Sequence, residues 1–346
     1  MKYVTAITMI THRLSLLYFI GLFLFDGNAC SQARAQERDS APPFSDQDFR
    51  QSLKHLAAQK GARAVIAGAW VGGQPIAKVA LGESMAGVPA QTDMTIRIGG
   101  VSQLFLGTAL MRLVERGEIA LDDKISKWLP DLLKADSVTV GMLARNTAGY
   151  KDYVVNEDFL NQQLQNPFRS FSSEEIVDFA ISDGEMNFEP GTSQAYSHTE
   201  FTILRMVLER ATGRRIETIY RDEVLRPLGL SRTGYSLNPE LPSPVLHAFS
   251  SDRGIYEDST FWNPSWPGES GPLYSTLDDL GKWGPAFGKG KLLRPAFFQK
   301  LIERPSSARP SGPYFATCFV ISKGWYFQIL TLMDTVGCLA IYPRRT

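Results

Sequence analysis

The fold is decided by residues 96–123, which have the sequence IRIGGVSQLFLGTALMRLVERGEIALDD. After the two central glycines, apolar residues recur at positions i, i+4, i+7 and i+8, namely Leu106, Leu110, Leu113 and Val114. This spacing predicts an α-helix, and Gly117 is a typical residue to end it. Further apolar residues lie on the other sides of the helix. We therefore predict that the helix is buried all round.

Strands are predicted on both sides of this helix along the chain. Residues 64–71 and 76–81 flank a Gly-Gly-Gln-Pro turn, and the tail at 314–342 has the pattern of short strands. Helical patterns dominate elsewhere, at 45–59, 139–145, 173–181, 201–211, 216–224 and 275–287, the last with Ser275 as the expected N-cap. Together these patterns predict an α+β fold. Its antiparallel sheet is built from both chain ends, with a helical region inserted between them.

Composition excludes several functional classes. The 346 residues carry 36 Lys+Arg and 36 Asp+Glu, so no basic field for nucleic acid exists. Three cysteines do not make a disulfide framework. The four histidines are scattered and match no metal-binding spacing. We therefore predict no metal site, no cofactor and no nucleic-acid partner.

The N-terminus has the pattern of an export signal. Basic residues, Lys2 and Arg13, precede the apolar run LSLLYFIGLFLF at 14–25, which is short for a membrane span. Two cleavage sites remain open. Ala33-Arg34-Ala35 fits the small-x-small rule, and Gly27-Asn28-Ala29 fits it nearer the apolar run. Cleavage at the second would place Cys30 first, as in a bacterial lipoprotein. An uncleaved membrane anchor is the alternative.

These patterns divide the chain into three parts. Residues 1–35 are predicted as the signal, 36–43 as a polar linker and 44–346 as the folded domain. The protein is accordingly expected to be exported, either periplasmic or secreted. Contact with a membrane is expected only through the signal or through a lipid on Cys30.

The segment 96–123 resembles the serine β-lactamase/penicillin-binding-protein-like family, especially its class C β-lactamase, esterase and D-aminopeptidase branch. Four further segments resemble the same family in the same order: 139–153 (TVGMLARNTAGYKDY), 189–198 (EPGTSQAYSH), 226–235 (RPLGLSRTGY) and 271–283 (GPLYSTLDDLGKW). The resemblance implies a β-lactamase/transpeptidase-like fold. It also implies that the chain is truncated at the C-terminus, because it stops soon after the segment 340–343, which resembles the strand that follows the family's third motif.

The catalytic motifs of the family are degenerate in this chain. The family uses a Ser-x-x-Lys at the start of the buried helix, where the lysine acts as the base for the serine. Here Gly100 occupies the serine register and Gln103 the lysine register. Glycine has no nucleophilic oxygen, and an amide is not basic near neutral pH. The third motif, Lys or His, a small residue and Gly, is not kept at the best register, 331–333, nor at the alternative, Lys323-Gly324.

The second motif is partly retained. Tyr196 keeps the family's tyrosine, whereas His198 stands where the family usually has Asn. His198 is interpreted either as a new general base or as a residue of the pocket wall. Ser102 is the nearest surviving hydroxyl. It lies two residues after Gly100, and two residues along a helix rotate the side-chain direction by roughly 200°. The Ser102 side chain should therefore face away from the pocket. Asn146, in the loop after the short helix, is expected near the site in a turn-capping role.

Three hypotheses follow from this combination. The first is an exported, catalytically impaired protein that binds a cell-wall peptide or a small acyl or β-lactam ligand. The second is an active hydrolase, of β-lactamase, esterase or D-Ala-D-Ala peptidase type, that uses rewired residues such as Tyr196 with His198 or Ser102. The third is a truncated, decayed family member that folds poorly.

Overall fold

The structure, a computed structural model, describes residues 4–11, 45–332 and 335–343. The apolar run at 14–25, Cys30 and the linker at 36–43 lie outside these residues. The predictions made for them therefore stay predictions.

The described residues form helices and strands along the whole chain. The helices are α1 (Asp46–Lys60), α2 (Ser102–Glu115), α3 (Val140–Ala144), α4 (Glu157–Gln165), α5 (Ser173–Ile181), α6 (His198–Thr212), α7 (Ile216–Tyr220), α8 (Arg226–Leu228), α9 (Leu277–Gly288) and α10 (Pro295–Leu301). The strands are β1 (Val4–Thr11), β2 (Ala64–Val71), β3 (Gln74–Met85), β4 (Val88–Pro89), β5 (Ile96–Arg97), β6 (Gly234–Tyr235), β7 (Phe249–Ser250), β8 (Glu257–Asp258), β9 (Leu273–Ser275), β10 (Tyr314–Phe315), β11 (Val320–Ser322), β12 (Trp325–Leu332) and β13 (Thr335–Tyr342).

The main sheet takes its strands from both chain ends, as the sequence predicts. Its order is β10-β11-β12-β13-β1-β2-β3-β4, and the neighbouring strands pair antiparallel. The helices from α2 to α10 are inserted between β4 and β10 in the chain. The α+β class is therefore confirmed. The structure differs at the N-terminus, where residues 4–11 form a strand although they fall within the predicted signal.

Both faces of the sheet are covered at β2. On one face, Leu53 of α1 packs with Val65 and Ala67 in an apolar cluster. On the other face, the indole of Trp70 lies against α9, at a distance that only a glycine allows. A Cβ on Gly281 would lie 2.3 Å from the ring. This two-sided cover explains why β2 is an unbroken apolar run with seven buried residues out of eight.

Helix α2 is buried on nearly all sides, as its apolar pattern predicts. The ring of Phe105 stacks on that of Trp283 in α9, with centroids 4.1 Å apart. Stacked aromatic pairs at this distance add to the stabilisation from apolar burial. This packing holds the first turn of α2, which contains Gln103, and the short turn before it, which contains Gly100, in a fixed position relative to the sheet.

Three local features differ from the sequence expectations. Helix α4 lies in a stretch where only loops are expected. The N-cap of α9 is Thr276, whose hydroxyl accepts from the amide of Asp279, rather than Ser275. Lys323 and Gly324 form the two-residue turn between β11 and β12, both with positive φ, so they are not a third motif.

Two further observations concern the described residues only. None of their helices is long and apolar enough to cross a membrane. The sulfhydryl groups of Cys318 and Cys338 are free, and Cys318 is fully buried.

Candidate functional site

Three side chains from distant parts of the chain meet at the first turn of α2, where the sequence resemblance implies the catalytic groups. The Nε2 of Gln103, in the first turn of α2, donates to the Tyr196 hydroxyl at 2.6 Å. The Oε1 of Gln103 accepts a hydrogen bond from Nε2 of Gln328 on β12. The Oε1 of Gln328 accepts from the amide of Ile329 at 3.2 Å. We call Gln103, Gln328 and Tyr196 the amide cluster. Its members are all neutral hydrogen-bonding groups.

The nucleophile position has no room for a side chain. A Cβ built on Gly100 would lie 2.4 Å from the carbonyl oxygen of Ile329 and 3.6 Å from Cγ of Gln328. The first of these contacts is with backbone, which cannot turn away as a flexible side chain can. Gly100 thus lacks the oxygen of a serine and also lacks the space for one.

The side chain of Tyr196 is partly exposed to solvent, but its hydroxyl is buried against other side chains. The residue is 43% exposed, yet its hydroxyl is held by Gln103 and has the Ser270 hydroxyl beside it, without a well-formed hydrogen bond between the two hydroxyls. Burial of the hydroxyl raises the pKa of Tyr196 above its ordinary value, and the hydrogen bond from Gln103 opposes this only in part. The phenol is therefore neutral near pH 7.

A histidine–carboxylate pair lies next to the amide cluster. His198 is the first residue of α6, and its ring meets that of Tyr196 edge-on with centroids 4.8 Å apart. The Nδ1 of His198 is 2.9 Å from Oδ2 of Asp152, and the His198 amide donates to Oδ1 of the same carboxylate at 3.3 Å. A carboxylate on Nδ1 fixes the ring orientation and favours a lone pair on Nε2. This is the arrangement of a general base.

The other two predicted pocket residues have structural roles. Asn146 is buried with φ 55°, and its Oδ1 accepts from the amide of Ser197 at 2.6 Å. It therefore ties the loop after α3 to the second motif. Ser102 is fully buried, and its Oγ accepts from the amide of Leu273 at 3.2 Å, so it joins α2 to β9 instead of facing the pocket. The structure brings Gln103, Tyr196 and His198 together and leaves Ser102 apart.

Two carboxyl groups are fully buried near the site residues in the chain, Glu200 in α6 and Glu269 next to Ser270. Glu200 accepts from the amides of Gly149 and Ala148, and its burial raises its pKa well above the ordinary value despite these bonds. Glu269 accepts from the Tyr220 hydroxyl at 2.5 Å and lies 3.9 Å from Nε of Arg205. Burial raises the pKa of Glu269 to about 7.

Sequence reasoning missed Gln328, Asp152 and Ser270. Gln328 lies three residues before the expected start of the third motif. Its signal was a single polar residue within an apolar strand pattern. Asp152 and Ser270 had no such signal, because their partners His198 and Tyr196 are distant in the chain. Within the described ranges, no cluster of three or more His, Cys, Asp or Glu side chains could hold a metal ion.

Comparison with known proteins identifies the family of the chain. A family model described as Beta-lactamase matches residues 49–343. The chain is 24% identical over 272 residues to the D-alanyl-D-alanine-carboxypeptidase/endopeptidase AmpH of Escherichia coli (strain K12), covering 75% of this chain and 67% of that protein. It is 30% identical over 172 residues to esterase EstB of Burkholderia gladioli, covering 46% of this chain and 43% of the esterase.

Solved structures share the fold. The D-stereospecific amidohydrolase from Streptomyces sp. matches with a TM-score of 0.72 at 22% identity, over 86% of this chain and 94% of that chain. The octameric penicillin-binding protein homologue from Pyrococcus abyssi matches with a TM-score of 0.72 at 18% identity, over 87% and 74% of the two chains. These likenesses confirm the β-lactamase/transpeptidase-like fold. Together with the family model, they show that this chain belongs to the β-lactamase family.

Proposed function

We propose that this protein binds an acyl or peptide ligand in the family's pocket without forming the family's acyl-enzyme. The observation that carries this proposal is the amide cluster. Gln103 bonds both Tyr196 and Gln328, so neutral amides stand where a basic amine is needed. Loss of the nucleophile alone costs a serine hydrolase about a millionfold in turnover. Loss of nucleophile and base together removes acyl transfer.

The ligand class follows from the chemistry of the pocket and from the relatives. Amide and hydroxyl groups in the amide cluster can bond the amide groups of a peptide, and the exposed Tyr196 ring offers an apolar surface. Among the relatives are a D-alanyl-D-alanine carboxypeptidase and a D-amino acid amidase from Ochrobactrum anthropi. We therefore propose a peptidoglycan-type peptide or a small acyl compound, including a β-lactam, as the ligand.

The test is labelling of the folded protein with a fluorescent penicillin. A single cooperative thermal transition must come first, because its absence would favour a decayed, poorly folded protein. We then expect no band that survives denaturation. We also expect reversible binding of a D-Ala-D-Ala-terminated peptide, measured by calorimetry, that weakens in Tyr196→Phe. A covalent band in the unmodified protein would refute the proposal.

A second candidate function, hydrolysis by rewired residues, rests on the His198–Asp152 pair. In this candidate His198 takes a proton from a water molecule that attacks the acyl carbonyl, and Asp152 holds the ring. A positioned general base contributes about 100- to 10,000-fold. Hydrolysis of a p-nitrophenyl ester should then fall by that factor in His198→Asn and Asp152→Asn. Activity no higher than that of buffer contradicts this candidate.

We also propose export, from the N-terminal sequence pattern alone. Export with cleavage after residue 29 or 35 would remove residues 4–11 from the mature chain. The N-terminal residue of the secreted or periplasmic protein, read by mass spectrometry, tests this directly.

A further inference from the structure

Strand β1 lies in the middle of the main sheet, although it is remote in sequence from the other strands. It pairs antiparallel with β13 from Val4↔Tyr342 to Thr11↔Thr335. It also pairs antiparallel with β2 from Val4↔Val71 to Ile10↔Val65. Its backbone is therefore bonded on both sides, and it holds the two halves of the sheet together.

Without β1 the sheet would divide between β2 and β13. Two strand spacings separate these strands, about 10 Å. Each would present a row of unpaired N–H and C=O groups, which is a template for another strand. Since β1 is antiparallel to both, β2 and β13 run parallel to each other. Closing the gap would therefore replace two antiparallel ladders by one parallel ladder, which is slightly less stable per residue.

The neighbouring packing also opposes closure. Trp70 of β2 lies against Gly281 of α9, where a Cβ would already be 2.3 Å from the ring. A shift of β2 by one strand spacing would break this contact. The gap is thus a feature of the packed domain, and β1 fills it with an uncharged segment, VTAITMIT, in which six of eight residues are β-branched.

We propose that the gap between β2 and β13 is a strand-acceptor site whose occupant is the segment 4–11, held by backbone hydrogen bonds and independent of its covalent link to the rest of the domain. The site requires an occupant that is extended, carries no charge and is rich in β-branched residues, as the segment 4–11 is. In a molecule that keeps its N-terminus, β1 fills the site. In a molecule that is cut between β1 and α1 after folding, the segment 4–11 stays in the site through these backbone hydrogen bonds alone.

The experiment uses the full chain with a protease site inserted at 36–43, cut after folding. We expect the N-terminal fragment to co-elute with the domain in native gel filtration and to separate in denaturant. We expect the cut protein to exchange this fragment for a fluorescent peptide of residues 2–13, with a dissociation constant of about 1 µM, a typical scale for a modest peptide complex. The uncut protein should bind the peptide poorly, because its own β1 occupies the site.

A matched peptide with Thr8→Pro is the control. Proline removes one backbone donor and fixes φ, so a peptide bonded on both sides should lose binding. The proposal is overturned if the N-terminal fragment separates from the cut domain on native gel filtration and the domain keeps the melting temperature of the uncut protein. It is also overturned if the proline peptide binds equally, or if the uncut protein binds as well as the cut one. None of these readouts involves the amide cluster, so the proposed function is tested separately.

Discussion

The double variant Gly100→Ser, Gln103→Lys is expected to stay without acyl-enzyme chemistry, about a millionfold below an intact serine hydrolase. The new serine and lysine would restore the residue types of the family's Ser-x-x-Lys motif. The new Cβ at position 100, however, would lie 2.4 Å from the carbonyl oxygen of Ile329. Strand β12 must move before the serine fits. Gln328, which bonds Gln103, moves with it.

The same contact predicts a loss of stability. Forcing an extra methyl-sized group into packed structure costs about 1–3 kcal/mol. In a domain of this size each 1 kcal/mol lowers Tm by about 1.5 °C. Thermal unfolding and fluorescent-penicillin labelling of the double variant measure both expectations.

Gly100→Ala is the matched control, because it adds the Cβ without the hydroxyl. It should lose as much stability as Gly100→Ser. A labelled band in the double variant, or a Gly100→Ala protein as stable as the parent, would show that β12 leaves room for a side chain at position 100 and would contradict the steric closure of the nucleophile position.

Much of the fold follows from local sequence patterns. The leucine spacing in α2 and the glycine after it fix a buried helix, and the apolar run of β2 fixes a strand covered on both faces. Gln103 and Tyr196 were placed in one site by motif spacing, and the structure joins them by a hydrogen bond of 2.6 Å. Local spacing is sufficient to predict the positions of these two residues, because each lies within a few residues of the start of a helix.

Gln328 and β1 were not predictable in the same way. The register of β12 against α2 depends on strand pairing more than 200 residues away from Gln103, and a shift of three residues leaves the apolar pattern of the tail almost unchanged. The apolar segment 4–11 is compatible with either an export signal or a central strand. Its local sequence does not distinguish a membrane environment from the interior of a sheet.

Glu269 is fully buried and should make the stability of the domain depend on pH. Burial raises its pKa from 4.5 to about 7, although the nearby Arg205 acts to lower it. In the unfolded chain the carboxyl loses its proton near pH 4.5, whereas the folded chain keeps that proton up to about pH 7. The contribution of Glu269 to the free energy of unfolding is therefore fully present below pH 4.5, and it is lost as the pH rises through about 7. The total loss is about 3 kcal/mol.

Glu269→Gln should remove this part of the pH dependence, because an amide of nearly the same shape cannot ionise and can still accept from Tyr220. The free energy of unfolding in urea, measured from pH 4.5 to pH 8, should fall less steeply with rising pH in the variant than in the parent. Glu189→Gln, at a side chain 70% exposed, is the control and should keep the parent slope. Other buried acids such as Glu200 act in all three proteins, so the difference between the slopes isolates Glu269. Equal slopes in the parent and Glu269→Gln would mean that Glu269 is already ionised in the folded domain and that Arg205, 3.9 Å away, outweighs its burial.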